Sequence, residues 1–122
     1  TIAPLEGDTV INGFGPYVDP VYNIKIFNEA VTLKPKSSDA QVRSVLGGVV
    51  VFARKTAVMD QVVIIEHPNN LHTIYGYLSK IAPTIKQGVT VKEGYVIGRV
   101  DDRLMFEVTQ KNRYIDPLEL FN

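Results

Sequence analysis

Short runs of β-branched and aromatic residues follow one another closely along this chain, and nearly every run is closed by turn-forming residues. The runs are Val49-Val50-Val51-Phe52-Ala53, Gln61-Val62-Val63-Ile64-Ile65-Glu66, Thr73-Ile74-Tyr75-Gly76-Tyr77-Leu78, Tyr95-Val96-Ile97-Gly98-Arg99-Val100 and Leu104-Met105-Phe106-Glu107-Val108. Pro68-Asn69-Asn70, Gln87-Gly88, Glu93-Gly94 and Asp101-Asp102 punctuate them. Runs of strand length at this spacing predict a mostly β, antiparallel domain with only short helical turns. The best helical turn is Ser37 to Val45, with Ser38 as its cap and Val42, Val45 and Leu46 as a small apolar stripe. With 122 residues, 45% of them hydrophobic, one domain over 1–122 can bury one continuous core.

Strand alternation sorts the side chains by face. Leu104, Phe106 and Val108 share the core face, and Arg103, Met105 and Glu107 share the other. By the same rule Thr73, Tyr75 and Tyr77 fall together. The segment Gly88-Val89-Thr90-Val91-Lys92-Glu93-Gly94-Tyr95-Val96-Ile97-Gly98 reads as a β-hairpin whose glycines supply positive-φ turns, with Val91, Val96 and Ile97 directed inward.

Composition removes several classes of function. Lys plus Arg (13) equals Asp plus Glu (13), so there is no electrostatic footprint for nucleic acid or a charged membrane surface. Without cysteine there is no disulfide frame, thiolate nucleophile or thiolate metal site. No apolar run reaches the ~18 residues of a membrane span. The start, Thr1-Ile2-Ala3-Pro4, is neither a signal peptide nor an initiator methionine, so the expectation is a piece of a longer protein with its targeting segment elsewhere. Lys92 lacks the flanking residues of a biotinyl or lipoyl carrier turn. Ser37, Ser38 and Ser79 have no His and Asp in motif order, and Asp101-Asp102 reads as a turn. His67 and His72 flank a Pro-Asn-Asn turn and read as turn-anchoring or exposed. Glu107 reads as a structural hydrogen-bonding residue.

In order, Gly13-Phe14-Gly15, Gly47 to Ala53, Val62 to His67, Thr73 to Ser79, the glycine segment, Leu104 to Val108 and Ile115-Asp116-Pro117-Leu118 resemble the LytM, or lysostaphin-type, M23 peptidase domain. The resemblance implies that antiparallel β fold, and in active members a zinc site. Those members carry H-x-G-x-D, Y-x-H-L-S and H-L-H-F-E segments. The first His, the Asp and the last His bind Zn²⁺, and the other two His assist the water and the oxyanion. Here the first segment aligns as Asn28-Glu29-Ala30-Val31-Thr32, the second as Tyr75-Gly76-Tyr77-Leu78-Ser79 and the third as Arg103-Leu104-Met105-Phe106-Glu107. Asn28, Thr32 and Met105 therefore stand at the metal-ligand positions, and Tyr77 and Arg103 at the helper-histidine positions. Two weak neutral oxygen donors, a thioether and a guanidinium offer Zn²⁺ no useful set.

The resemblance thus implies a catalytically inactive member with no zinc, using a vestigial groove of Asn28, Tyr75, Tyr77, Arg103 and Met105. The closing stretch from Phe106 to Leu118 resembles the inactive cell-shape-determining members of helical and curved Gram-negative bacteria. In that group an inactive member pairs as a heterodimer with an active endopeptidase in the periplasm. The alternatives are an activator of a peptidoglycan amidase, whose degenerate members also carry Tyr-Gly-Tyr, and a passive peptidoglycan-binding module. Sheet edges also leave room for a homodimer.

Overall fold

In a computed structural model, described over residues 2–7 and 9–120, the chain forms thirteen strands with antiparallel pairing throughout. The first five are β1 (Thr9–Asn12), β2 (Gly15–Val18), β3 (Lys25–Asn28), β4 (Ala30–Lys34) and β5 (Ala40–Arg43). The long central strands are β6 (Gly48–Thr56), β7 (Asp60–His67) and β8 (Leu71–Leu78). After them come β9 (Lys80–Ile81), β10 (Thr90–Val91), β11 (Val96–Val100), β12 (Leu104–Gln110) and β13 (Arg113–Ile115). The main sheet runs β1-β4-β12-β8-β7-β6-β10, with β13 also paired to β12. A second sheet, β5-β11-β9, packs on it, and β2-β3 form a separate two-stranded ribbon.

The expected strands form because their apolar alternation has a layer to bury against. Leu104, Phe106 and Val108 are fully buried, as the alternation of β12 predicts. They meet Val31 and Leu33 of β4, Val63 and Ile65 of β7, and Val42, Ile97 and Val100 of the second sheet in one cluster. Tyr75 and Phe106 lie across the β8–β12 pair, with ring centroids 5.3 Å apart.

Three local expectations are overturned. Ser37 to Val45 is not a helical turn: Asp39 takes φ +57 and Ala40–Arg43 becomes β5. The open edge of β11 supplies partners there, Ala40 with Val100 and Val42 with Gly98, and this pairing outweighs local helical preference. The glycine segment is not a hairpin either. Thr90–Val91 pairs with β6, whereas Val96–Val100 pairs with β5 and β9, so the segment crosses between sheets. Gly88 and Gly94 do have positive φ, but Gly98 does not. Its requirement is close approach, because a Cβ there would collide with the Lys80 carbonyl oxygen.

The third is Tyr77. Tyr75 pairs with Val63 and Leu78 with Gln61, so Gly76 and Tyr77 together face Val62 in a β-bulge. Tyr77 takes φ +62 and its N–H donates to the Met59 carbonyl at 2.8 Å. The bulge turns Tyr77 to the face opposite Tyr75 and returns Leu78 to the core.

A polar thread runs through the core behind this strand. His67, buried, contacts the Gly47 carbonyl through Nδ1 at 2.8 Å and Thr73 Oγ1 through Nε2 at 2.8 Å. The carbonyl can only accept, so Nδ1 carries the ring proton, and in the neutral ring Nε2 accepts from the Thr73 hydroxyl. Thr73 Oγ1 lies 2.9 Å from Tyr75 Oη, which in turn accepts from the Val45 N–H at 3.1 Å. His67 is therefore not, as expected, exposed or bonded through its side chain to the Pro68–Asn70 turn, but a buried core residue that ties Gly47 to Thr73. Burial pushes its pKa below the ordinary 6.5, outweighing the Gly47 hydrogen bond, and His72 lowers it further. The unfolded chain then binds a proton that the folded chain refuses, so stability falls as pH drops below 6.5 and levels off below the folded-state pKa. The urea midpoint should fall as pH drops below 6.5, and His67→Gln should remove that part of the slope.

Candidate functional site

The face of the main sheet turned away from the core carries the residues singled out above. On β12 and the residue before it, alternation places Arg103, Met105 and Glu107 together, and Thr32 of β4 is the cross-strand partner of Met105. Gly76 of β8 flanks Met105 on its other side. A Cβ at Gly76 would come within 2.9 Å of the Met105 methyl, so glycine makes room for the thioether. Asn28, at the end of β3, is anchored by donating from Nδ2 to the Gly13 carbonyl at 3.0 Å. The bulge brings Tyr77 to the same face, where the Arg103 guanidinium lies 4.0 Å above its ring.

Asn28, Thr32, Met105, Tyr77 and Arg103 all line one groove of about 380 Å³. Tyr75 does not belong to it. That ring is fully buried on the other face, with its hydroxyl tied into the core, because the bulge breaks the alternation that would have put both tyrosines together. Sequence reasoning also missed Met59, Phe27, Asn12 and Glu29, which complete the walls. Met59 lies in the β6–β7 turn and Phe27 in the ribbon, where no strand pattern marks them; Phe27 is held edge-on to Phe14 at 5.2 Å. A second hollow of about 500 Å³ shares Tyr77 and Arg103, with Lys55, Asp60, Asp101 and Asp102 around it.

The groove has charge at both ends. Arg103 makes no ion pair among the described residues. At the other end burial, reinforced by Glu29, raises the Glu107 carboxyl above the ordinary carboxylate value. No hydrogen bond to that carboxyl occurs among the described residues, so the structural hydrogen-bonding role expected for Glu107 is not found. The nearby Tyr114 phenol is raised by its hydrogen bond to Glu29 and by the charges of Glu29 and Glu107.

The donor set does not fit the zinc ion that the resemblance would place here. Asn28 already donates to backbone, Thr32 and Met105 are weak neutral donors, and Arg103 brings positive charge. Among the described residues, no three His, Cys, Asp or Glu side chains are grouped to hold a metal. His67 sits in the core, and His72 faces Glu66 at 3.4 Å. Asp101 accepts from the Asp39 N–H at 2.9 Å, and Ser79 donates to the Arg99 carbonyl at 3.0 Å.

Known proteins share this fold. The model of peptidase family M23 matches residues 27–117. Stage II sporulation protein Q of Bacillus subtilis (strain 168) is 39% identical over 69 residues, which is 57% of this chain and 24% of that protein. The chain therefore corresponds to about a quarter of that relative's length. The Csd3 structure from Helicobacter pylori superposes with a TM-score of 0.87 at 29% identity, over 99% of this chain and 34% of that one. A chain from the SpoIIIAH–SpoIIQ complex gives 0.82 at 26% identity, over 97% of both chains.

Proposed function

This chain belongs to peptidase family M23, and from that premise we propose that it is a non-catalytic member whose work is to bind a protein partner through the groove. The observation that carries this reading is the content of the groove. All five positions aligned with metal ligands and helper histidines converge there, and they hold Asn28, Thr32, Tyr77, Arg103 and Met105. Tyr, Arg and Met are the residue types that supply contact area at protein interfaces. The similarity to a chain solved in a SpoIIIAH–SpoIIQ complex supports a protein as the occupant. The β2–β3 ribbon beside the groove adds exposed Tyr17, Val18, Val21, Tyr22 and Ile24, an apolar surface of the kind that marks interaction sites.

The finer reading is a heterodimer with an active peptidoglycan endopeptidase of the same family in the cell envelope, which this chain stabilises or orients without binding zinc itself. Capture of the tagged full-length protein from its own envelope tests it. The expected result is an M23 endopeptidase in near-equal amount, and an approximately 30-fold weaker complex for Tyr77→Ala and for Arg103→Ala. Recovery of a peptidoglycan amidase would replace the endopeptidase as partner, and recovery of peptidoglycan fragments alone would overturn the partner reading. Purified protein incubated with crosslinked muropeptides and Zn²⁺ should give no hydrolysis. Turnover abolished by a chelator would overturn the non-catalytic assignment.

A further inference from the structure

The groove carries opposite charges at its two ends with Met105, Met59 and Phe27 among the residues lining it, and among the described residues neither end has a counter-charge. Arg103, Met105 and Glu107 lie on one face of β12 and the residue before it, so the charged ends are roughly 13 Å apart at the rise of an extended strand. At one end the Arg103 guanidinium is stacked on the Tyr77 ring, which orients its planar fork but leaves its N–H donors without a carboxylate among the described residues. Asp60, Asp101 and Asp102 line the neighbouring hollow that shares Tyr77 and Arg103, and none of them pairs with Arg103. At the other end Glu107 and Glu29 repel one another, and among the described residues neither is paired with a cation, a repulsion that an incoming ammonium or guanidinium would relieve. The rest of the lining sets the apolar side chains of Met105, Met59 and Phe27 beside the polar Asn12, Asn28 and Thr32.

On the partner-binding reading above, we propose that the groove takes an extended segment of the partner protein with one acidic and one basic side chain four residues apart and an apolar side chain midway. The spacing follows from extended backbone. Residues i, i+2 and i+4 of the segment point to one side and cover the same ~13 Å as Arg103, Met105 and Glu107. The acid forms a forked pair with Arg103, the base sits between Glu107 and Glu29, and the apolar side chain packs on the two thioethers and Phe27. β12 already has neighbours on both edges, so the segment lies on the sheet face and is not added as a strand.

Labelled, end-blocked peptides test this in fluorescence anisotropy with the full chain. The probe is Asp-Gly-Leu-Gly-Lys, against versions with Asp at both ends, Lys at both ends, and Asn and Gln in place of the charges. The Asp/Lys peptide should bind about tenfold more tightly than the others at low salt, and the difference should shrink toward about 1 M salt. Arg103→Glu makes both ends acidic and should reverse the ranking in favour of the Lys/Lys peptide, a change of preference that loss of folding would not produce. Equal binding of the neutral peptide, or an unchanged ranking in Arg103→Glu, would overturn the inference. If the ranking fails while groove substitutions still release a captured partner, only this inference falls. If groove substitutions leave that partner bound, the groove reading falls with it.

Discussion

Replacing Asn28 and Met105 by His, Thr32 by Asp and Arg103 by His should give a chain that holds a single Zn²⁺ through gel filtration. Thr32 and Met105 are direct cross-strand partners, and their Cβ atoms lie within the ~4.5–5.5 Å that lets two donors reach one ion. Asn28 lines the same groove, and removing the guanidinium of Arg103 removes the repulsion from the cation. Two imidazoles and a carboxylate leave the fourth position to water, the arrangement of a catalytic zinc. Metal analysis of the desalted protein and the absorption spectrum of its Co²⁺ form read the result. A folded variant that retains no metal would show that Asn28 or Thr32 is not at a ligand position.

The second large effect separates two tyrosines that stand next but one in β8. Tyr75→Ala should cost about 3–5 kcal/mol, because it empties a fully buried site against Phe106 and strips the Val45 N–H of its acceptor. Tyr75→Phe isolates the second contribution and should cost about 1–3 kcal/mol. Tyr77→Ala should change stability by no more than about 1 kcal/mol, the scale of its contact with Arg103, because the ring lies in the groove outside the core. Urea denaturation of the three variants measures all of this. A Tyr77→Ala loss as large as that of Tyr75→Ala would place Tyr77 in the core and remove it from the groove.

That contrast marks where sequence reasoning stops. The antiparallel β class, the five long strand segments and the core face of β12 were legible because a period of two with β-branched and aromatic residues leaves few alternatives. Four of the five groove-lining residues named in advance were also legible, once the motif segments were aligned: Asn28, Tyr77, Arg103 and Met105 line it, and Tyr75 does not. Tyr77 reached the groove against its own alternation. A bulge is one residue of mismatch between two strands, so it exists only in their pairing and leaves no mark on either strand alone.

The same holds for the other differences. Ala40–Arg43 became a strand because the edge of β11 was open, and the glycine segment split between sheets because β6 and β5 each offered an edge. Phe27, Met59 and Glu29 entered the groove from the ribbon, the β6–β7 turn and the bend between β3 and β4, three places that only the fold brings together. Local periodicity therefore determined which stretches are strands and which side chains each strand buries. Tertiary pairing decided the register, the bulge and the charged ends of the groove, because those depend on which distant edge meets which, and hydrogen bonds between edges outweigh the preferences of any single residue.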